Sequence, residues 1–297
     1  MLRSHGRYDY SGIAERPGYA WPNGARLAVY LGVNLEHFAF GEGLGAELAP
    51  GGPHPDILNY AWRDWGNRVG TWRLIELLDE LRLPASMLVN SAMYAYAPSL
   101  MAAVRARGDE IVGHGRTNSE RQSILSETEE RALIAEATEA IAAAEGTRPR
   151  GWLSPWIAES AATPDLLAEA GYRYTLNWCM DDQPVWMRTR AGPLLAIPYP
   201  QEANDIPSIV ARKDGAEQFA AILTDTFDEM LDQSARQPLV MGIALHPYIV
   251  GQPHRLRHLR RALAHIAGHG GNVWFTTAGA LYDHVAALPA GLVPGSA

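Results

Sequence analysis

The sequence predicts an α/β fold in which seven or eight strand–helix units close into a distorted (β/α)7–8 barrel. Short apolar runs alternate with longer segments of helical periodicity along the chain, a pattern typical of parallel strands joined by helices. We find no internal repeat, and 297 residues suit one large barrel. A single domain over residues 1–297 is therefore expected, with a polar N-terminal arm, rich in Gly and Pro, over about residues 1–25.

The first half of the chain carries four predicted strands separated by three helices. Residues 26–34 form a nearly continuous apolar run, as expected of a strand buried on both faces. An apolar stripe near the 3.6-residue period predicts a helix over about 64–81, and Ser126 begins a capping box that predicts another over about 126–145. The remaining predicted elements are strands 85–90, 110–113 and 151–153 and a helix over about 97–107.

The second half continues the same alternation. A Thr-Pro pair at 163–164 predicts the start of a helix that stops at Gly171. The seven apolar residues 239–245 predict another strand buried on both faces. The remaining predicted strands cover 172–177, 194–197 and 272–275, and the remaining helices cover about 214–235, 254–268 and 278–288.

Composition narrows the classes of partner. Thirty-three acidic residues against 25 basic ones give a formal net charge of −8, which disfavours nucleic acid as a partner. No run of about 18 apolar residues is present, so a membrane span is not expected. The lone Cys179 forbids an internal disulfide and fits a reducing compartment. We therefore expect a cytoplasmic protein that acts on a small molecule, and a homo-oligomer, since barrels with long N-terminal arms often pair.

Polar side chains follow the predicted strands where each strand ends. In a barrel of parallel strands these ends share one face, where active sites lie, so the side chains are expected to converge. The segments are Asn34-Leu35-Glu36-His37, Gly113-His114-Gly115-Arg116, Ser154-Pro155-Trp156, Cys179-Met180-Asp181-Asp182, Asn204-Asp205 and Leu245-His246-Pro247.

Histidines and carboxylates at strand ends suit hydrolysis. Glu36 is the candidate base or water-positioning group, and His246 is the candidate acid that protonates a leaving nitrogen. An acid beside His246 would orient it, and Asp181 is the catalytic candidate for that role. The structural alternatives are a buried Glu36 paired with Arg68 or Arg116 and a His246 that only shapes a turn.

Further strand-end residues are candidates for substrate binding. Trp156 offers a flat ring for stacking, although core packing is an alternative for it. For the polar candidates, the alternative is a role in capping or forming a turn. The predicted substrate-binding residues are Arg116, Trp156, Asp182, Asn204 and Asp205.

Motifs spread over about 250 residues carry a family resemblance. They are Trp21-Pro22-Asn23-Gly24, Asn34-Leu35-Glu36, the segment from Gly66 to Arg73 (GNRVGTWR), Gly113-His114-Gly115, Asp181-Asp182-Gln183-Pro184, Pro198-Tyr199, Asn204-Asp205, Leu245-His246-Pro247 and Val273-Trp274-Phe275. In these motifs the chain resembles the polysaccharide deacetylase superfamily. The most similar branch contains cofactor-independent allantoinases, cyclic-imide hydrolases and some bacterial peptidoglycan deacetylases. The resemblance implies a barrel of the polysaccharide deacetylase type and hydrolysis of a non-peptide carbon–nitrogen bond.

The resemblance also implies roles for individual positions, with departures. In the family the first motif supplies a general base and then a metal ligand, but here Asn34 stands at the base position and Glu36 at the ligand position. Two metal-binding histidines normally lie four residues apart, and here they read His114 and Asn118. The third motif keeps its proline and aromatic ring but has lost its arginine, while His246 matches the general acid.

Three functions follow as expectations. The first is an allantoinase-like or cyclic-imide amidohydrolase without a cofactor, using Glu36 and His246. The second is a metal-dependent N-deacetylase of an acetylated sugar or polysaccharide, with one divalent metal, zinc, at a degenerate site of Glu36, His114 and Asn118. The third is a catalytically silent member that binds a ligand, favoured by Asn34 at the base position.

Overall fold

The computed structural model describes residues 4–52 and 54–296, so the first three residues of the predicted N-terminal arm lie outside the described part. Its strands are β1 (Leu27–Leu35), β2 (Ser86–Val89), β3 (Glu110–Gly113), β4 (Gly151–Trp152), β5 (Tyr174–Thr175), β6 (Val185–Met187), β7 (Leu194–Ala196), β8 (Leu239–Leu245) and β9 (Val273–Thr276).

Ten α-helical segments occur within the described residues. They are α1 (Ile57–Trp65), α2 (Thr71–Leu81), α3 (Met93–Tyr96), α4 (Pro98–Arg107), α5 (Glu127–Glu145), α6 (Thr163–Glu169), α7 (Ala216–Gln233), α8 (Pro247–Val250), α9 (Pro253–Ala267) and α10 (Ala278–Ala286). Within residues 4–52 and 54–296, none of the helices has both the length and the apolar character needed to cross a bilayer.

The strands form one curled sheet in the order β6-β7-β5-β4-β3-β2-β1-β8, and β9 also pairs with β1. All pairings are parallel except β6 with β7. Along one side β1 meets β9 at Leu27–Tyr30 and β2 at Gly32–Leu35, while β8 covers its other side. The predicted distorted barrel is confirmed as a half-barrel with flanking helices.

Burial on both faces explains why the sequences of the central strands are nearly continuous apolar runs. Every residue of β1 and β8 is buried, because helices and the curled sheet itself cover both faces. The capping box predicted at the start of α5 is present between Ser126 and Glu129, and α5 ends at Gly146 with a φ of 74°. Glycine tolerates this left-handed conformation at a helix end.

The helix predicted from residue 64 begins earlier, at Ile57, and a π-turn at Gly66–Gly70 separates α1 from α2. The interruption has a packing cause. A Cβ atom on Gly66 would lie 2.7 Å from the backbone nitrogen of Tyr248, and one on Gly70 would overlap the carbonyl oxygen of Pro247. The two glycines therefore let this segment pack directly against the chain that follows β8.

The three-residue strand β6 was not predicted. It is the one antiparallel strand among the described residues, and its sequence, Val-Trp-Met, is too short to show a period. Strands β4 and β5 are also shorter than predicted, with two residues each. The long strands β1 and β8 lie side by side, so their carboxyl ends deliver the residues that follow them to one place.

Candidate active site

Glu36 lies directly after β1, and its side chain is buried between two imidazoles. Its Oε1 atom is 3.6 Å from Nε2 of His114, which follows β3, and 3.5 Å from Nε2 of His246, which follows β8. The side-chain amide of Asn67, in the π-turn, donates to the Glu36 carbonyl at 2.8 Å. The π-turn that packs against the chain after β8 therefore also fixes the backbone of this glutamate.

Asp205 holds His246 at two points. The imidazole Nδ1 lies 2.6 Å from Oδ1 of Asp205, and the backbone N–H of His246 donates to Oδ2 at 2.7 Å. Because a carboxylate accepts, Nδ1 carries a hydrogen, and the ring is oriented with Nε2 toward Glu36. The imidazole thus lies between two carboxylates, which favour its protonated form.

The charges of this group follow from burial and proximity. Burial by itself lowers the pKa of His246, but the carboxylates of Asp205 and Glu36 outweigh it and raise this pKa to about 10. Burial raises the pKa of Glu36, but His246 and His114 outweigh it and bring this pKa down to about 2. At neutral pH an ionised carboxylate therefore faces a protonated imidazole.

His114 is fixed by the opposite edge of its ring. Nδ1 donates to the carbonyl oxygen of Leu153 at 2.7 Å, so Nε2 is the ring nitrogen that faces Glu36. Within the described part of the chain, Nε2 of His114, Oε2 of Glu36 and Oδ1 of Asn118 are buried and have no hydrogen-bond partner. All three belong to residues that line the same cavity.

The cavity has a volume of about 110 Å³, and its wall is mostly neutral. Four carboxamide residues contribute to it, namely Asn34, Asn118, Gln201 and Asn204. Aromatic rings of Trp156, Tyr199 and Tyr248 complete much of the rest. Among the described residues that line it, none is a lysine or an arginine. The cavity thus combines one acid–base group with amide donors and acceptors.

Asn34 occupies the floor of the cavity without acting as a base. Its amide nitrogen donates to the hydroxyl of Tyr199 at 3.0 Å and to the carbonyl of Leu245 at 3.3 Å. An amide does not take up a proton at neutral pH, so Glu36 is the ionised acceptor that faces the cavity.

Trp156 sits at the cavity mouth in a conformation that side chains rarely adopt. Trp156 and Ile157 have φ angles of 64° and 54°. Each such left-handed residue costs on the order of 1–3 kcal/mol. The indole N–H of Trp156 donates to the carbonyl of Asn118 at 2.9 Å, which holds the ring beside the site.

The structure brings six of the predicted site residues to the cavity wall, and they are Glu36, His114, Asn118, Trp156, Asn204 and His246. Asp205 lies immediately beneath His246. The carboxylate expected to orient His246 was Asp181, and this expectation is corrected, because the structure puts Asp205 there.

Asp181, Asp182 and Arg116 lie away from the cavity. Arg16 of the N-terminal arm donates to both carboxylate oxygens of Asp181 at 2.7 and 2.6 Å. Asp182 is exposed, and its carbonyl accepts from the backbone of β8. Arg116 pairs with Glu120 and Glu136 on the surface. The sequence could not distinguish these contacts from roles in the site, since all three residues follow predicted strands.

Sequence reasoning missed several parts of the wall. Tyr199 and Tyr248 each line the cavity one or two residues after a strand-end segment, and a tyrosine following Pro198 or Pro247 was the available signal. The pairing of Asp205 with His246 joins two loops and has no spacing that the sequence could display.

The described residues do not form a metal site from His, Cys, Asp and Glu side chains alone. Within the described residues, no group of three or more His, Cys, Asp or Glu side chains is arranged to hold a metal ion. Asn118 contributes a neutral carbonyl oxygen to the cavity that His114 and Glu36 also line, so the orphaned donor set is one imidazole, one carboxylate and one amide. That set fits a divalent cation with two strong ligands and one weak ligand.

Comparisons with known proteins agree with this fold. The family model described as polysaccharide deacetylase matches residues 60–175. The crystal structure of the PuuE allantoinase superposes with a TM-score of 0.83 and 26% identity, covering 93% of this chain and 97% of that one. A Schizosaccharomyces pombe protein assigned by name to the polysaccharide deacetylases is 26% identical over 305 residues, which is 91% of this chain and 93% of the relative. The peptidoglycan deacetylase of Helicobacter pylori is 23% identical over 242 residues, covering 71% and 82%.

Proposed function

We propose that the chain, which is similar to polysaccharide deacetylases and to an allantoinase, hydrolyses a carbon–nitrogen bond of a small, neutral, linear or cyclic amide, such as a ureide or an imide. The observation that carries the proposal is Glu36, which lies within 3.6 Å of two imidazoles at the wall of a small cavity. Similarity to an allantoinase over nearly the whole chain supports a substrate of this kind.

The proposed reaction divides two proton transfers between two residues. Glu36 binds the attacking water and takes its proton as the oxygen bonds to the substrate carbonyl carbon. His246 gives the hydrogen on Nε2 to the substrate nitrogen as the carbon–nitrogen bond breaks, and the carbonyl becomes a carboxyl group. Asp205 keeps the imidazole oriented and protonated until that step.

The two transfers reinforce each other. The pKa of Glu36 is low because the protonated His246 lies beside it. When His246 loses its proton to the leaving nitrogen, that positive charge disappears, and Glu36 holds the proton that it took from water more firmly. The buried hydroxyl of Tyr248 lines the cavity and has no partner among the described residues. It is placed to donate a hydrogen bond to the substrate oxygen as negative charge develops there.

The cavity wall supports a neutral substrate. Carboxamides pair with both N–H and C=O groups, and ureides and imides carry both in one plane. An anionic substrate would need a cationic partner, and the described lining residues include no lysine or arginine. Trp156 supplies a flat surface at the mouth for a ring. Cytoplasmic location and assembly into a homo-oligomer stay predictions from the sequence.

A second candidate function is metal-dependent N-deacetylation of an acetylated sugar, and the three orphaned donors favour it. Glu36, His114 and Asn118 would hold the cation. A bound divalent metal would polarise the amide carbonyl and favour ionisation of water. The third expectation, a silent ligand-binding member, rests on Asn34 at the base position.

One experiment separates these functions. The protein is purified without chelator, its metal content is measured, and it is tested on neutral ureides and cyclic imides and on N-acetylated sugars. Turnover of an imide or ureide that survives chelator supports the first function. Stoichiometric zinc with chelator-sensitive deacetylation replaces it by the second. Binding of these compounds without turnover would leave the third.

A further inference from the structure

Residues 154–159, here called the strap, form one wall of the cavity. Ser154, Trp156 and Ile157 line the cavity directly. The preceding residue, Leu153, accepts the hydrogen bond that orients His114. The strap therefore connects the catalytic side of the site with the ring at its mouth, and its position sets the shape of the substrate wall.

The strap is folded into two overlapping turns. The backbone N–H of Ile157 donates to the carbonyl of Ser154 at 2.8 Å, and that of Ala158 donates to Pro155 at 3.1 Å. The second turn has positive φ at both central residues, Trp156 and Ile157. Glycine, asparagine and aspartate favour such turns, whereas a large ring and a β-branched residue oppose them. Contacts from outside must therefore hold the strap in this form.

Asn177, just beyond β5, provides such contacts at both ends of the strap. Its Oδ1 accepts from the backbone N–H of Ser154 at 2.8 Å, and its Nδ2 donates to the hydroxyl of Ser154 at 3.0 Å. The same Nδ2 donates to Oε2 of Glu159 at 2.7 Å. Asn177 is buried, and its two bonds to Ser154 are shielded from water.

We propose that Asn177, acting with Glu159, is a positioning residue that clips the strained strap and thereby fixes Trp156 and Ile157 as the substrate-selecting wall. Asn177 does not line the cavity, so its action on substrate is indirect. On the inner side the strap is held by the Trp156 bond to Asn118 and by Pro155, whose ring would meet a Cβ on Gly115 at 2.9 Å. On the outer side the strap is held by the hydrogen bonds of Asn177 to Ser154 and Glu159, here called the clip.

The proposal is tested by exchanging the donor and the acceptor between positions 177 and 159. Asn177→Asp keeps the acceptor for Ser154 but sets a carboxylate against Glu159. Adding Glu159→Gln restores a carboxylate–amide pair with the donor on the opposite side. Gln233→Glu is the matched control, because it sets a new acid beside Glu229 on the exposed side of α7. Backbone hydrogen exchange of residues 153–158 is measured for each variant without substrate, and KM and kcat are measured with the best ureide or imide.

We expect Asn177→Asp to speed exchange in the strap and raise KM about tenfold, with kcat within about threefold of the parent, as loss of one or two buried hydrogen bonds would do. The double variant should recover both measurements, and Gln233→Glu should change neither. Unchanged exchange in Asn177→Asp overturns the clip. Faster exchange with unchanged KM overturns its role in substrate selection.

The kinetic part of this inference rests on the proposed function, whereas the exchange part needs no substrate. If the parent protein turns over none of the amides, the proposed function fails by itself. Binding of the same compounds, followed by calorimetry, then replaces KM. Equal affinity of the parent and Asn177→Asp would overturn the selecting role there as well.

Discussion

Nε2 of His246 lies 3.5 Å from Oε1 of Glu36, although one residue follows the first strand and the other follows the eighth. The adjacent parallel strands β1 and β8 end at the same edge of the sheet, so the two side chains that follow them approach each other there. Asp205 holds the far side of the imidazole. Charge thus alternates from carboxylate to imidazolium to carboxylate across the site, and each member controls the protonation of its neighbours.

Replacing Glu36 by Gln should remove the proton acceptor with little change of shape. We expect kcat to fall by about 10²–10⁴-fold, the usual contribution of a general base, with the fold retained by circular dichroism. Glu139→Gln is a matched control, since Glu139 pairs with Arg148 on the exposed face of α5, and it should leave kcat unchanged. Full activity in Glu36→Gln would remove Glu36 from the mechanism.

The pH profile should show a broad plateau. The pKa of His246 is raised to about 10, so the acid stays protonated through neutral pH and kcat/KM declines only as pH rises through about 10. The pKa of Glu36 is about 2, so the acidic decline comes only near that pH. Neither group should give an inflection near pH 6.5, the ordinary value for histidine.

Asp205→Asn should narrow that plateau from the alkaline side. The nearest carboxylate that raises the pKa of His246 is lost, while an amide oxygen remains to accept from Nδ1. The alkaline decline of kcat/KM should therefore move to lower pH, and kcat at pH 7 should fall. An alkaline decline that stays near pH 10 would show that Asp205 does not govern the charge of His246.

The sequence predicted the long elements well, because their signals are local. The uninterrupted apolar runs of β1 and β8 and the capping box of α5 are determined by burial and by hydrogen bonds within a few residues. Strand β6 carries no such signal. The π-turn at Gly66–Gly70 depends on close approach to Pro247 and Tyr248, which are distant in sequence.

The candidate site was predicted where strand order alone places a residue. Glu36, His114 and His246 follow central strands, so their meeting follows from the barrel. The partner of His246 was misassigned, because Asp181 and Asp205 both follow later strands and no local feature separates them. Arg16, from the N-terminal arm, neutralises Asp181, and an arm's contacts cannot be predicted from periodicity.

Arg82 offers a test of backbone conformation away from the site. It ends α2 with a φ of 55° and is exposed. Arg82→Gly should raise the free energy of unfolding by about 0.5–1 kcal/mol, because glycine removes a left-handed penalty of about 1–2 kcal/mol but adds freedom to the unfolded chain. Arg82→Ala keeps the penalty and should give no gain in urea unfolding. Equal stability of the two variants would contradict the assigned conformation.

Asn118→His should convert the orphaned donor set into a stronger metal site. The new imidazole would lie four residues after His114 and replace a neutral carbonyl with a nitrogen ligand that zinc prefers. We expect zinc affinity to rise at least about tenfold, measured by competition with a chromogenic chelator and by metal content after dialysis. Asn118→Ala, which removes the third donor, should bind zinc more weakly than the parent. Equal affinity in all three proteins would show that position 118 does not face the ion, and Glu36 and His114 would then act in hydrolysis without it.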